Sequence, residues 1–520
     1  MSSDKPQSLT LSDMHLEFDF PANLTAEKFI AKLSDKTNVE VVSRHYSLIT
    51  YYDSFDWRLY KNGITCELIR SKTASTLLVK RLENGFVIAN TAIKDMPPFS
   101  QQIQSKDVCN TLTPLLEMRA LLPLCNLDYE IVNLNILNKD KKIVLRMIIE
   151  DHVFLNNRLI LQPIKGYHKA AEQIIDTIST KLGLTSATKP LLVIALRLQG
   201  RKPNDYSSKM NINLDPDMRA DIAIKYIYSH LLKAIKDNEQ GTIADTDSEF
   251  LHDFRVAVRR TRVGMNQLKG VLPDNINSRY ADFFSWLGQI TSLTRDIDVY
   301  LLSFETFKNS LPASIRNDID PLHTLLVSKK ELAQKELAKK LRSTNYLVTL
   351  SEWELFLKQQ ALITPTEPNA RLSIKQLADR RISKNYKLIL KEGSAINENS
   401  PSEALHDLRK SCKKLRYLME FFQSLYLESQ INHFIKNLKK LQEVLGDYQD
   451  YAVQEQTLRE YSEEMLNNNV DANTLLAMGV LIQNLDSFKD RARQAFSSKF
   501  ETFKHEENQT AIDTLLAAKT

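Results

Sequence analysis

The stretch LHDFRVAVRRTR (Leu251–Arg262) places a histidine and four arginines among residues that favour a protein core. A second stretch, LHDLRKSCKKLR (Leu405–Arg416), has the same design. In both, apolar residues recur at intervals of three and four, which is the period of an amphipathic helix with one buried face. The predicted buried positions are Leu251, Phe254, Val258, Thr261, Met265 and Leu268 in the first helix, and Leu405, Leu408, Cys412, Leu415, Met419 and Phe422 in the second.

The two stretches belong to a longer internal repeat. His406 lies 154 residues after His252, and Asp450 lies 154 residues after Asp296. The segments 246–249 (TDSE) and 400–403 (SPSE) have the same offset, and each has the pattern of a capping box at a helix start. A constant offset of this kind predicts a tandem duplication, with about four helices in each half.

The rest of the chain divides by hydrophobic period. Residues 13–198 carry short alternating apolar runs, which predict an α+β domain built on an antiparallel sheet. Residues 199–217 are polar with two prolines and are predicted to form a linker. Residues 218–510 predict an all-α domain of roughly eight helices, with repeat halves at about 218–362 and 371–510.

The composition is that of a globular protein, with 520 residues, 43% hydrophobic and 26% charged. A net charge of only +5 means that any basic site must be local. Four cysteines without paired or zinc-type spacing indicate a reducing compartment. The first residues lack the pattern of a signal peptide, and no apolar run is long enough to span a bilayer. We therefore expect a cytoplasmic protein without membrane contact.

The basic residues of the two helices form matching ladders with a spacing of three, four and three. Like charges on one helix face repel each other by a few tenths of a kcal/mol per pair. One interpretation is a solvated face whose long side chains cover the edge of the core. Repetition of the ladder in both copies favours a groove for a polyanion. The ladders are His252, Arg255, Arg259 and Arg262, then His406, Arg409, Lys413 and Arg416, widened by Arg260 and Lys414.

Further cations have helical spacing that would place them in the same groove. His230 and Lys233 occupy the positions in the first copy that correspond to Lys384 and Lys387. Asp296 and Asp450 are expected to orient cations. The basic faces carry no aromatic residues for base stacking, which favours repeating phosphates, while contacts to a nucleic-acid backbone stay open. The additional candidates are Arg295, Arg380, Lys384, Lys387, His433, Lys436 and Lys440.

The pattern H-D-x-R-x-A-x-R-R-x-R, the following R-D-x-D and the second H-x-L-R-K-x-x-K-x-L-R-Y resemble the CHAD domain, the conserved histidine α-helical domain. The resemblance covers about residues 218–510. It implies two four-helix halves related by a pseudo-twofold axis and a basic cleft that binds inorganic polyphosphate. The ligands that it implies are His252, Arg255, Arg259, Arg260, Arg262, Arg295, Arg380, Lys384, Lys387, His406, Arg409, Lys413, Lys414, Arg416, Lys436 and Lys440.

Residues 13–198 resemble a CYTH domain through YYDSFDWRLYKNGITCELIR at 51–70. This resemblance implies an eight-stranded triphosphate tunnel that hydrolyses tripolyphosphate, with an acidic metal site and inward-facing Lys and Arg. The chain departs from that pattern. Of the expected carboxylates in the first strand only Glu17 is present, between His15 and Asp19, and Glu67 and Ile69 replace two arginines.

Phosphoryl chemistry with two metals needs several carboxylates held together. The sequence therefore predicts a degenerate tunnel without a cofactor, in which Lys80, Arg119, Arg146 and Asp151 are the remaining candidates to line the interior. The leading prediction is a polyphosphate-binding protein that also accepts other polyanions and associates with polyphosphate granules. The alternatives are an inorganic triphosphatase with Mg²⁺ or Mn²⁺, in which Glu17 would be catalytic, and a protein that binds nucleic-acid backbones. The oligomeric state stays open.

Overall fold

The computed structural model describes residues 16–187 and 189–505, so that His15 lies outside the described residues. The chain divides into two compact units between Ser207 and Ser208. The first unit carries the strands and the second is helical, which confirms the predicted fold classes. No helix in the described ranges combines the length and apolar character needed to cross a bilayer.

The first unit is one antiparallel sheet with the strand order β5-β4-β3-β2-β6-β7-β8-β1-β9. Its longest strands, β2 and β6, pair at the centre, and alternate β6 residues such as Val132 and Leu134 are buried against α1 and α4. The opposite face therefore carries the other alternate set of side chains. The strands are β1 (Leu16–Asp19), β2 (Asn38–Asp53), β3 (Ile64–Ser71), β4 (Ser75–Arg81), β5 (Val87–Ala92), β6 (Leu122–Leu137), β7 (Ile143–His152), β8 (Arg158–Pro163) and β9 (Thr185–Ser186), and the helices are α1 (Ala26–Ser34), α2 (Arg58–Lys61), α3 (Lys106–Leu116), α4 (His168–Lys181) and α5 (Leu191–Leu198).

The second unit has ten α-helices within the described residues, two more than the sequence predicts. In the second repeat the single helix α14 covers the span that α8 and α9 cover in the first. Likewise α15 covers the span of α10 and continues into that of α11, and its Phe500 lies against Gly393 as Tyr346 of α11 lies against Glu239. Three equivalent pairs of helices, α6/α12, α7/α13 and α8/α14, begin 154 residues apart. The helices are α6 (Ala220–Ala244), α7 (Ser248–Gln267), α8 (Asp274–Ile290), α9 (Ser292–Ser310), α10 (Asp320–Leu341), α11 (Thr344–Lys358), α12 (Ile374–Ser394), α13 (Ser402–Phe422), α14 (Glu428–Asn467) and α15 (Ala472–Lys504).

Two hydrogen bonds show the pseudo-twofold relation between the repeats directly. The backbone N–H of Ala220 donates to the carbonyl of Leu372 at 2.9 Å, and that of Ile374 donates to the carbonyl of Met218 at 2.8 Å. Each donor and acceptor has its 154-residue equivalent in the other bond. A reciprocal pair of this kind is what a twofold axis requires.

The predicted apolar positions of α7 and α13 are all buried, which confirms the helix seams. The predicted capping boxes are wrong. Asp247, not Thr246, caps α7 by accepting from the N–H groups of Glu249 and Phe250, and Ser400 bonds to Asn397 instead of capping α13. A carboxylate is the stronger acceptor at the positive end of a helix, which explains the shift to Asp247.

The predicted linker, residues 199–217, is polar in sequence, but several of its side chains are buried, each in the unit to which its residue belongs. In the first unit Tyr206 is buried and stacks on Phe55, with ring centroids 4.4 Å apart. In the second unit Met210, Ile212 and Leu214 are buried in the helical core. Only the exposed residues 207–209 separate the buried side chains of Tyr206 and Met210.

Candidate functional site

Helices α7 and α13 bring the two basic ladders together. Each helix buries its apolar seam in the core of the helical unit, which leaves the neighbouring basic positions half-buried. Arg259 of α7 lies near enough to Lys413 of α13 for its charge to act on the lysine. The predicted meeting of the two copies is thus present at these residues.

Burial and neighbouring positive charges together shift the ionisation of two side chains at this meeting point. Burial lowers the pKa of Lys413 to about 7, and the charges of Arg409 and Arg259 add to the shift while Asp450 opposes it. Burial also lowers the pKa of Arg255 to about 10, with Arg259 adding and Asp296 opposing. In both groups burial disfavours the charged form, and the neighbouring cations add a smaller effect of the same sign.

Several of the predicted ligands already have protein partners in the first copy. The guanidinium of Arg255 donates to the carbonyl of Gly288 at 3.1 Å and to Oγ1 of Thr291 at 2.7 Å. Arg295 donates to the carbonyl of Ser248 at 3.1 Å. These arginines connect α7 to the end of α8 and the start of α9.

In the second copy two predicted ligands also have protein partners, but these partners are side chains of α14. Arg409 forms an ion pair with Asp450 at 2.9 Å, and Nδ1 of His406 lies 2.8 Å from Oε1 of Gln449. Asp450 thus orients a cation, as predicted. In the first copy Asp296 accepts from Ser292 and acts on Arg255 through its charge alone.

Arg260 and Arg416 share one carboxylate. Glu420 lies 2.7 Å from Nη2 of Arg260 and 3.4 Å from Nε of Arg416. Both guanidinium groups also lie over the ring of Tyr417, at 5.9 and 5.2 Å from its centroid. Arg260 donates further to the carbonyl of Ser208, so the structure places it in an internal cluster.

Four predicted ligands on α7 and α13 form no ion pair and no hydrogen bond within residues 16–187 and 189–505. They are Arg259, Arg262, Lys413 and Lys414, two from each copy, and we call them the shared basic surface. The Arg262 guanidinium approaches α8 closely, because a Cβ on Gly288 would lie only 2.7 Å from its Nη1 atom. Gly288 therefore makes room for this cation.

The predicted ligand His252 lies half-buried on α7, and the other five lie on α12 and α14. The five on α12 and α14 are exposed, and no ion pair or hydrogen bond in the described part of the chain links them to the shared basic surface. In the first copy Asp282 and Trp286 occupy the positions equivalent to two of these lysines, so the outer charge is not symmetric. These ligands are Arg380, Lys384, Lys387, Lys436 and Lys440.

The first unit holds a second candidate site, a cavity of about 340 Å³ on the face of the sheet opposite α1 and α4. Lys80 forms an ion pair with Glu67 at 2.5 Å, and Arg158 forms ion pairs at 3.0 Å with Glu17 and Asp19. Burial raises the pKa of Glu17, while Arg158 opposes the rise and Glu150 adds to it. The charged residues that line the cavity are Glu17, Glu67, Lys80, Arg81, Glu83, Glu150, Arg158 and Lys189.

The sequence located this cavity only in part. Glu17 and Lys80 line it, but Arg119 is buried beside Asp56 and Arg146 is exposed. Asp151 does not line it either, because alternation along β7 points its neighbour Glu150 inward. Alternation in MIIEDH was the signal that could have identified Glu150. The described residues contain no group of three or more His, Cys, Asp or Glu that could hold a metal ion.

Comparison with known proteins identifies the helical region. The CHAD-domain family profile matches residues 227–459, so the second unit contains a CHAD domain, as the sequence resemblance implied. The profile covers less than half of the chain.

Individual relatives are distant. Two Mycobacterium tuberculosis proteins, MT2285 and Rv2226, are 24% identical over 249 residues, and the match spans 46% of this chain and 46% of each relative. The CHAD domain from Ricinus communis is 24% identical and has a TM-score of 0.47, covering 56% of this chain and 95% of its own. A Hippeastrum protein, HpAC1, whose structure is reported with a dominant triphosphatase activity, is 10% identical with a TM-score of 0.27, covering 37% of this chain and 99% of its own.

Proposed function

We propose that this protein binds inorganic polyphosphate on the shared basic surface of α7 and α13. The observation that carries the proposal is the set of four cations, two from each repeat, whose side chains form no ion pair or hydrogen bond within the described residues. One of them is Lys413, whose pKa is lowered by burial and further by the charges of Arg409 and Arg259. A chain of phosphates would supply one negative charge per unit along its length.

The chemistry of the surface favours phosphate over bases. Arginine offers paired donors that match phosphate oxygens, and lysine adds a compact charge. A hydrogen bond to a charged partner contributes about 1.5–3 kcal/mol, so four cations together support tight, salt-sensitive binding. The nearby aromatic ring, Tyr417, is buried beneath Arg260 and Arg416 and presents no stacking face to a base.

The proposal is tested by titrating long-chain polyphosphate against the wild type and the double variant Arg259→Gln/Lys413→Gln. Loss of two charge-assisted contacts is expected to weaken binding by about 3 kcal/mol or more, which is roughly a hundredfold. The matched control, Lys358→Gln/Arg459→Gln, removes the same net charge from two exposed ion pairs of the helical unit. Equal affinity of the double variant and the wild type would overturn the assignment, and displacement of polyphosphate by duplex DNA at physiological salt would favour a nucleic-acid ligand.

A second candidate function is an inorganic triphosphatase in the first unit, and the observation in its favour is the presence of Glu17, Glu67 and Glu150 in one cavity. We favour an inactive cavity, because its two innermost cations, Lys80 and Arg158, are already paired with carboxylates. An assay of phosphate release from tripolyphosphate with Mg²⁺ or Mn²⁺ decides between them. Turnover that Glu17→Ala abolishes would establish the enzyme.

A further inference from the structure

The two repeats differ at one acidic position beside the shared basic surface. Glu420 of α13 holds Arg260 and Arg416 in a single cluster. The position equivalent to Glu420 in α7, 154 residues earlier, is Asn266, which is exposed and uncharged. The charge arrangement of the CHAD domain is therefore asymmetric, although its fold is pseudo-symmetric.

Because the two repeats are related by a pseudo-twofold axis, each should offer an equivalent anion subsite, and this substitution makes the two subsites differ in charge. Arg416 corresponds to Arg262, and Arg260 corresponds to Lys414. The pair Arg260 and Arg416 is partly neutralised by the Glu420 carboxylate, and its guanidinium groups lie over the ring of Tyr417. The equivalent positions Arg262 and Lys414 repeat neither feature, because Asn266 and Val263 stand where the second copy has Glu420 and Tyr417.

We propose that Glu420 is an internal counter-anion that closes one of two equivalent subsites, so that a phosphate chain binds through the open subsite formed by Arg262 and Lys414. A carboxylate attached to the same helix competes with a free anion at a high effective concentration. Its side chain is also largely buried, at 17% exposure, and Arg260 is 13% exposed, which limits exchange with solvent. Glu420 therefore determines which end of the shared basic surface accepts the ligand.

This inference rests on the proposed function, and it predicts opposite effects of two substitutions. Asn266→Glu places a carboxylate four residues after Arg262, as Glu420 lies four residues after Arg416, and closes the open subsite. We expect it to weaken polyphosphate binding about tenfold or more, which is the effect of losing one charge-assisted contact. Glu420→Gln releases Arg260 and Arg416 and is expected to strengthen binding of long chains, with a smaller gain for tripolyphosphate, because only a long chain spans both subsites.

The experiment titrates long-chain polyphosphate and tripolyphosphate against the full-length wild type, both single variants, the neutral control Asn266→Gln and the swap Asn266→Glu/Glu420→Gln. The swap should recover affinity within about threefold of the wild type, since it opens one subsite as it closes the other. Asn266 is exposed, so its variants decide the question even where thermal melting shows that Glu420→Gln is poorly folded. If the wild type binds but Asn266→Glu binds equally well, the role of Glu420 is refuted while the proposed function stands. Absence of wild-type binding removes the proposed function itself.

Discussion

Arg259 and Arg260 are neighbours of the same residue type, yet the structure gives them different surroundings. Arg259 belongs to the shared basic surface, whereas Arg260 pairs with Glu420. Replacing each by glutamine removes the same charge from adjacent positions of α7. The two substitutions should separate ligand binding from stability.

The expected magnitudes follow from the contacts. Arg259→Gln loses a charge-assisted contact of about 2 kcal/mol to polyphosphate, which corresponds to roughly a thirtyfold weaker affinity. Its effect on unfolding should be small or slightly stabilising, because the charge of Arg259 opposes the charged forms of Arg255, Arg262 and Lys413. Removing this repulsion favours the folded state.

Arg260→Gln should show the reverse pattern. The substitution breaks a largely buried ion pair with Glu420, but Arg416 still neutralises part of the carboxylate charge. We therefore expect the free energy of unfolding to fall by about 2 kcal/mol, somewhat less than the usual cost of breaking a buried ion pair. Its effect on binding is a long-range charge effect, about 0.4 kcal/mol at 10 Å in water, which is roughly twofold.

The assays are denaturant unfolding and polyphosphate titration at physiological salt on the same preparations. Equal losses of affinity in the two variants, at equal stability, would refute the division between paired and unpaired cations. Greater destabilisation by Arg259→Gln than by Arg260→Gln would refute it as well.

Two further predictions concern the same surface. Polyphosphate binding should take up a proton and weaken as pH rises through about 7, because an anion favours the charged form of Lys413, and Lys413→Arg should flatten this dependence in titrations from pH 6 to 9. Without ligand, the unfolded chain keeps this lysine protonated up to its usual pKa, so the free energy of unfolding should rise with pH above 7. An unchanged pH profile in Lys413→Arg would contradict the assignment. Gly288→Ala should leave the melting temperature unchanged or higher, since alanine favours a helix over glycine by about 1 kcal/mol. The same substitution should weaken polyphosphate binding about tenfold, because the added methyl group displaces the Arg262 guanidinium. Titration alongside thermal melting checks both effects.

The sequence was sufficient for the features that depend on local period. The seam from Leu251 to Leu268 and its copy from Leu405 to Phe422 follow the helical repeat, and burial confirms both. The duplication was readable because the offset of 154 residues persists across helices, and it reappears as matched helix starts. The number of helices was less predictable, since α14 runs without a break where the first copy divides at Thr291.

The sequence could not show which cations form ion pairs or hydrogen bonds, because their partners lie on other helices and strands. Arg255 finds its acceptors at the end of α8, and Arg260 finds its carboxylate on the helix of the other repeat. The spacing within α7 places Arg260 beside the ladder that contains Arg259, but it does not show which of the two is paired. The same limit hid Arg158, whose register opposite Glu150 is set by the pairing of β7 with β8.

The shared basic surface carries a cost in folding stability. A folded protein that gathers Arg259, Arg262, Lys413 and Lys414 without counter-ions gives up stability that dispersed charges would retain. Burial is the largest cause of the lowered pKa of Lys413, and repulsion by Arg409 and Arg259 adds to it. An anion that binds the folded state removes the repulsion and adds its own binding free energy, so polyphosphate at a hundredfold excess over its Kd should stabilise the helical unit by about 2.7 kcal/mol. Thermal unfolding measured with and without polyphosphate tests this coupling, and a wild type that melts at the same temperature in both conditions would contradict it.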